Sequence, residues 1–159
     1  MEQKHLSSIR NAEKSLRLAD HLAYVTFPLL GEQRISLKII TELNIFAIYL
    51  INAILQYEYY FKRINLYRDA RSNLETFKSS CVKQYKFSDE EVKALFDVMR
   101  LAEAHKKSPM EFVKNSNVII MTDNLRTETI NMDRIKNFIR ISKSVLGKTR
   151  ERLSQSKLA

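Results

Sequence analysis

The sequence predicts an all-α protein, a helical bundle with two long antiparallel N-terminal helices and a small β-hairpin near residues 118–130. The chain has 159 residues but only two glycines and two prolines, whereas all-β folds need turn residues at short intervals. Apolar residues recur at helical spacing along most of the chain. A chain of this length fits one domain with its own core, so we expect a single domain over residues 1–159.

The first two helices are predicted from long apolar stripes. Residues 2–27 carry apolar side chains at helical spacing, and Pro28 and Gly31 end this helix. The second helix extends from about residue 32 to residue 64 and is apolar on nearly all sides near its middle. Its most apolar segment, Leu43 to Leu55, is shorter than the roughly 18 residues that a membrane span needs. We therefore expect a central bundle helix and no integral membrane segment.

Helix-start signals organise the middle of the chain. A third helix is predicted over the next apolar repeat, and a fourth begins after Ser88, which forms a capping box with Glu91. Ser108, Pro109 and Glu111 give the same kind of signal again, with proline at the first helical position. This pattern predicts that the fourth helix ends by residue 107 and that a short helix follows.

The remaining elements are a hairpin and a final helix. The β-branched segment Val118–Thr122 is predicted to pair with Leu125–Ile130 across a tight turn. Asn131 is the expected N-cap of the last helix. Gly147 is a position where that helix bends or ends, and the tail from Lys148 is expected to fray.

The few cysteine and histidine residues argue against metal chemistry. The single cysteine, Cys81, cannot form an internal disulfide, and three histidines do not suffice for a zinc cluster. We predict no metal, no cofactor and a reducing, cytoplasmic location. His5 is expected to be solvated near a fraying end, and Arg17 with His21 is expected to form a surface pair one helical turn apart.

The net charge of +9 points to an anionic partner, either nucleic acid or an anionic membrane surface. The excess is concentrated in two segments. Residues 62–86 contain seven lysines and arginines against two acids, and residues 132–159 contain eight against two. The alternative interpretation is that these charges only keep the protein soluble.

Five tyrosines lie in or beside the first basic segment, namely Tyr57, Tyr59, Tyr60, Tyr67 and Tyr85. Lysine and arginine side chains can hold phosphates while aromatic rings between them stack on unpaired nucleobases. The candidate nucleic-acid-binding residues are Lys62, Arg63, Arg68, Arg71, Lys106 and Lys107. Two alternatives stay open, since some of these tyrosines could be core residues and charged segments are usually solvated faces.

Arg100 and His105 are the candidate catalytic residues. A neutral histidine can accept a proton from a ribose 2′-hydroxyl, and an arginine can hold the attacked phosphate. On one straight helix two side chains five residues apart point about 140° apart. They could converge if the helix loosens after residue 104, or across a dimer. The alternative role for His105, Lys106 and Lys107 is to stabilise a helix C-terminus through its dipole.

The segment AEKSLRLADHLAYVTF followed by ISLKIITELNIFAIYLINAILQ is similar to the two opening helices of HEPN domains. RLAEAH resembles the Arg-x4–6-His motif of that family, at Arg100 and His105. Active members are metal-independent ribonucleases that pair their motifs across a homodimer, and other members bind macromolecules without catalysis. Leu101 stands where family members often carry a polar residue, which argues against cleavage.

These observations lead to three functional hypotheses. The first is a HEPN-like protein that binds RNA, either as a ribonuclease or as a non-catalytic binder. The second is a helical interaction module that binds a protein partner without chemistry. The third, less favoured, is a peripheral membrane protein that uses its basic C-terminal tail.

Overall fold

A computed structural model describes residues 2–155 of the protein. The described chain is mostly helical and contains one three-stranded antiparallel sheet. The helices are α1 (Glu2–His21), α2 (Phe27–Leu30), α3 (Ile35–Tyr60), α4 (Ala70–Thr76), α5 (Asp89–Lys107) and α6 (Met132–Gln155). The strands are β1 (Met110–Lys114), β2 (Asn117–Met121) and β3 (Thr127–Ile130), in the order β1-β2-β3. The predicted mostly helical fold is confirmed, and the small sheet has three strands where the sequence predicted a two-stranded hairpin.

The apolar helix α3 forms the centre of the core and is contacted by α1, α5 and α6. Side chains on several sides of α3 are fully buried, among them Ile39, Ile40, Leu43, Phe46, Leu50 and Ile54. By length and composition alone α3 could also cross a membrane, and 56% of its most apolar window is buried inside the fold. The buried face of α3 is wide enough to need more than one covering helix, whereas the face that carries Lys38, Ile48 and Tyr49 stays exposed.

The sequence predicted that the first helix ends before Pro28, but in the structure the helical path continues past this residue. Proline lacks an N–H and its ring clashes with the carbonyl four residues earlier, here that of Tyr24. A π-helical turn over Leu22–Thr26 precedes the proline, and α2 then continues to Leu30. The wider turn accommodates the proline within a continuous helical path. Gly31, with a left-handed φ of 64°, ends that path.

Two predicted caps are confirmed. The Ser88 side chain accepts a hydrogen bond from the Glu91 N–H, and the Glu91 carboxylate accepts one from the Ser88 N–H. The Asn131 side chain accepts from the Arg134 N–H at 2.9 Å. The predicted bend or end at Gly147 and the predicted fraying from Lys148 are wrong as far as Gln155, since α6 continues to that residue. The rest of the predicted frayed tail, residues 156–159, lies outside the described residues.

The predicted hairpin is confirmed as the antiparallel pair β2–β3. The predicted short helix after Pro109 is wrong, because this segment forms β1 and pairs with β2. The Ser108 hydroxyl does not cap a helix but donates to the Met121 carbonyl at 2.6 Å and can donate to the Met110 carbonyl at 2.7 Å. The pairing of this segment with β2, whose other edge is paired with β3, therefore outweighs the local helix signal.

His5 is buried, with 4% of its surface exposed, so the predicted solvated position is wrong. Its ring lies edge-on to Tyr57, with the ring centroids 5.1 Å apart. The Ser8 hydroxyl donates to the Gln56 side chain one turn further along α1. These contacts show that the start of α1 lies beside the end of α3, as expected for two antiparallel helices.

A buried carboxylate joins the start of α5 to α6. Glu91 accepts hydrogen bonds from the Lys148 ammonium and the Ser144 hydroxyl, each at 2.6 Å. Burial raises the pKa of the Glu91 carboxyl, but these bonds and that from the Ser88 N–H outweigh it and lower the pKa to about 2 from 4.5. The folded state is therefore stabilised by the ionised form of Glu91.

Glu91→Gln should make unfolding less dependent on acidic pH. A carboxyl whose folded pKa is lowered stabilises the protein above the unfolded pKa of 4.5, and this contribution is lost as the pH falls towards about 2. We expect the wild type to lose about 2 kcal/mol more between pH 7 and pH 3 than the variant does. Urea unfolding at both pH values measures this difference. Glu90→Gln, an exposed neighbour, is the control and should keep the wild-type pH dependence.

Candidate functional site

Arg100 and His105 each bind a carboxylate. Helix α5 continues without interruption to Lys107, so the predicted loosening after residue 104 does not occur. Arg100 contacts Asp97 at 3.2 Å and forms a second ion pair with Glu128 of β3. The His105 Nδ1 lies 2.5 Å from the Glu111 carboxylate of β1. Both candidate catalytic groups are therefore held by acids of the sheet.

The two acids belong to different edge strands. Glu111 is paired in register with Ile120, and Ile120 is paired with Glu128. The three side chains form one cross-strand row on the same face of the sheet. Because neighbouring strands are about 4.8 Å apart, the two acidic backbone positions are separated by about 10 Å. Within one chain, Arg100 and His105 are thus directed to opposite edges of the sheet.

His105 has the surroundings of a potential base. Its contact with Glu111 uses Nδ1, so a neutral imidazole that donates from Nδ1 presents Nε2 as its free acceptor. The His105 side chain is 31% exposed. His105, Lys106 and Lys107 also occupy the last turn of α5, where positive charge is favourable to the helix dipole.

A separate surface cavity of about 730 Å³ lies where α3 ends. It is lined by residues from α1, from the end of α3 and from the loop after it, namely Lys4, Gln56, Tyr59, Tyr60, Lys62, Ile64, Asn65 and Leu66. We call it the tyrosine–lysine cavity. Tyr59 is 50% exposed and Tyr60 is 43% exposed. Its described lining residues include two amides and two lysines and no carboxylate, so the cavity suits an anionic ligand that carries aromatic rings.

Lys62 enters this cavity from an unusual backbone position. Its φ is 59°, in the left-handed region that non-glycine residues seldom adopt. The Lys62 N–H donates to the Tyr59 carbonyl at 2.9 Å, and the chain turns there out of α3. The Arg63 N–H also donates to the Glu58 carbonyl at 3.0 Å, so Lys62 is the left-handed residue that follows a helix C-cap, and this cap fixes where the side chain of Lys62 leaves the helix.

The loop after α3 is held by a buried ionic cluster. The Glu58 carboxylate, 2% exposed, forms ion pairs with Arg63 of the loop and with Arg152 of α6, the latter at 3.2 Å. The Arg63 guanidinium also lies over the Phe61 ring, 4.9 Å from its centroid. Arg63 was predicted to contact nucleic acid, but here it is engaged within the fold and orients the loop that carries Lys62.

Cys81 does not supply a nucleophile at this cluster. Burial, followed by the charge of Glu58, raises the pKa of the Cys81 thiol to about 12. The thiol is therefore protonated at neutral pH, and its nucleophilicity is low. Burial and Glu58 also raise the pKa of Tyr85, which is a core residue.

The structure separates the other predicted contacts into two groups. Arg68 and Arg71 are exposed and follow closely on the loop that lines the tyrosine–lysine cavity. Lys106 and Lys107 are exposed at the end of α5, and Lys107 pairs with Glu103 at 2.9 Å. The C-terminal end of α5 lies near the start of α3. Arg34, which directly precedes α3, donates a hydrogen bond to the carbonyl of Glu111 in β1, the strand that follows α5. Since α3 has 26 residues, the two groups are separated by about 39 Å along it.

Sequence reasoning identified Lys62 and the tyrosines but missed the other polar residues of the cavity. Lys4 and Gln56 meet there because α1 and α3 are antiparallel, and no local pattern indicates that meeting. Asn65 carries no signal beyond its position in a loop. Glu58 was a flanking acid in the sequence, although its place beside apolar residues near the helix end was a sign of burial.

Glu58→Gln should destabilise the fold strongly. Removing one partner of a buried ion pair leaves its cations uncompensated, and we expect a loss of about 3 kcal/mol in the free energy of unfolding. Glu75→Gln is the matched control, because Glu75 is 69% exposed and its contact with Lys78 is 4.0 Å long; we expect about 0.5 kcal/mol or less there. Urea unfolding measures both. Equal losses would contradict the structural role of Glu58.

Among known proteins, no family model, no curated protein and no solved structure matches this chain. The functional interpretation consequently rests on the side chains and their arrangement.

Proposed function

We propose that this protein binds single-stranded RNA at the tyrosine–lysine cavity. The observation that carries the proposal is the combination of two half-exposed tyrosine rings and two lysines in one cavity, with no carboxylate among the described lining residues. Single-stranded nucleic acids present stackable bases and a phosphate at every step, and this cavity has a partner for each.

The residues of the cavity divide these tasks. Tyr59 and Tyr60 stack on bases, which is worth about 1–3 kcal/mol per base. Lys4 and Lys62 contact phosphates, and no carboxylate among the described lining residues competes with those contacts. The amide of Gln56 accepts a hydrogen bond from Ser8 and is thereby held in place.

Exposed basic side chains extend the positive potential beyond the cavity. Arg68 and Arg71 lie on the loop side, in solvent. Together with a net charge of +9 they attract a polyanion from a distance and release counterions on binding. Binding of this kind weakens steeply as salt is added.

A second candidate function is metal-independent RNA cleavage, and the His105–Glu111 pair is the observation that favours it. A carboxylate on Nδ1 orients a histidine so that Nε2 can accept the proton of a 2′-hydroxyl. Arg100 would have to exchange Glu128 for the phosphate. Because both groups face different strands within one chain, a homodimer that brings His105 of one copy to Arg100 of the other suits this chemistry best, as in the HEPN domains that the motif resembles.

Tyr59→Ala and Lys62→Gln should weaken the binding of a short RNA. We expect about a tenfold loss for Tyr59→Ala, since one stacking contact is removed. For Lys62→Gln we expect the slope of log affinity against log salt to become about 0.7 shallower. Fluorescence anisotropy with an unstructured RNA of about 6 nucleotides measures both.

Two exposed residues of the same helix provide matched controls. Tyr49→Ala and Lys38→Gln change the same residue types on α3, away from the cavity lining. Both should bind as the wild type does. Undetectable binding of the wild type at low salt, or equal losses in the controls, would rule out the cavity as the RNA site.

His105→Ala and Arg100→Ala should each abolish RNA cleavage by the purified protein if the second candidate function is correct. The binding of short RNA should stay within about twofold of wild type, since neither residue lines the cavity. Gel analysis of a labelled RNA with a chelator present measures cleavage. Cleavage that persists in both variants, or is absent from the wild type, leaves a non-catalytic RNA-binding protein.

A further inference from the structure

A row of basic residues runs along the exposed side of α1. Arg10, Lys14, Arg17 and His21 follow one another at intervals of four, three and four residues. This spacing places them on one stripe of a helix. All four are exposed, and the first three carry a full positive charge.

A second row runs along α6. Lys136, Arg140, Lys143 and Arg150 share one helical stripe, and all four are exposed. Gly147 occupies the centre of that stripe, where nothing in the described part of the chain lies within 4 Å of an added Cβ. Glycine is unfavourable inside a helix, and no internal contact requires it here. The position of Gly147 gives a ligand close access to the helix backbone between the flanking basic residues.

The two rows form a single surface. Glu13 of α1 binds Arg150 of α6 at 2.8 Å, and Asp20 binds Lys143 at 2.7 Å. These pairs join the helices in antiparallel directions along a groove of about 480 Å³. We call the two rows and this groove the α1/α6 face.

The face keeps a large positive excess after its internal ion pairs are counted. It contains seven lysines and arginines, and the acids paired with them are Glu13, Asp20 and Glu90 of α5. Lys14 and Lys136 form no ion pair within residues 2–155. Two parallel rows of cations about 10 Å apart suit a chain of phosphates better than a single small anion.

One end of the face also carries an aromatic ring. Tyr24 is 49% exposed, and the ammonium groups of Lys136 and Lys143 lie 5.3 Å and 6.0 Å from its ring centroid. These residues line a further cavity of about 500 Å³ with Arg140. A ring between cations offers stacking for a nucleobase next to contacts for its phosphates.

From this arrangement we infer that the α1/α6 face is a second contact surface for RNA and holds the phosphate backbone of a strand that also enters the tyrosine–lysine cavity. The inference rests on the proposed RNA binding. Lys4 of the cavity and Tyr24 of the face are both supplied by the first helical segment, about 30 Å apart along it. A strand must be long enough to reach both sites, whereas a short strand occupies the cavity alone.

The test compares strands of about 6 and about 20 nucleotides by fluorescence anisotropy. The double variant Lys14→Glu/Lys136→Glu should lose at least tenfold in affinity for the long RNA and less than twofold for the short one. Its salt slope on the long RNA should be about 1.4 shallower, as two phosphate contacts are lost. Lys38→Glu/Lys114→Glu makes the same charge change on other exposed positions and should leave the long RNA bound within threefold.

A steric probe tests the same surface without changing its charge. Gly147→Leu should lower affinity for the long RNA at least fivefold, while Gly147→Ala should bind within twofold of wild type and raise the Tm. Equal losses in the two charge variants would overturn the inference, and so would a Gly147→Leu protein that binds long RNA normally. If the Lys14→Glu/Lys136→Glu variant lost its binding to phosphatidylserine vesicles but bound long RNA as the wild type does, the inference would be overturned in favour of a membrane surface. Failure of the wild type to bind the short RNA would instead contradict the proposed function.

Discussion

The need to cover α3 governs the architecture of this protein. The buried side chains of α3 form one wide apolar face, and the opposite face, which carries Lys38, Ile48 and Tyr49, stays exposed. The wide face loses its hydrophobic stabilisation unless other elements cover it, and α1, α5 and α6 all contact α3. Each covering helix has one apolar stripe directed at α3 and a polar face that must point outwards. The position of every charged row on the surface follows from this constraint.

Four acids of the chain join different elements of the fold and are therefore unavailable to offset the exposed lysines and arginines. Glu58 ties the loop after α3 to α6, Glu91 ties α5 to α6, and Glu111 and Glu128 hold the end of α5 to the sheet. Each of these carboxylates has at least one basic side chain as its partner. The lysines and arginines without such a partner are the groups available to a polyanion.

Local signals predicted much of this structure. The Ser88–Glu91 box and the Asn131 cap depend on residues three apart, and they form as expected. The signal at Ser108 and Pro109 was equally local but misleading, because a proline after serine also suits the entry to a strand. The formation of β1 was decided by its pairing with β2, which a helix signal does not register.

The same distinction applies to the candidate sites. The bases and tyrosines around Lys62 stand out in the sequence because they are neighbours along it. The inward orientation of Arg63 depends on the buried Glu58, and the presence of Lys4 depends on the pairing of two helices. Contacts of this kind involve residues from different elements, so the sequence pattern alone could not predict them.

The π-helical turn before Pro28 has a consequence for how this chain can vary. A π turn bonds each N–H five residues back, so it holds one residue more than an α turn of the same extent. Deleting a single residue between Leu22 and Thr26 would restore an α turn of the same extent, so the flanking helices would stay in phase, but the Pro28 ring would then meet a carbonyl of the preceding turn. A one-residue deletion here should therefore act through the proline and not through the phase of the helix, and substitutions of the outward-facing residues are not constrained by packing.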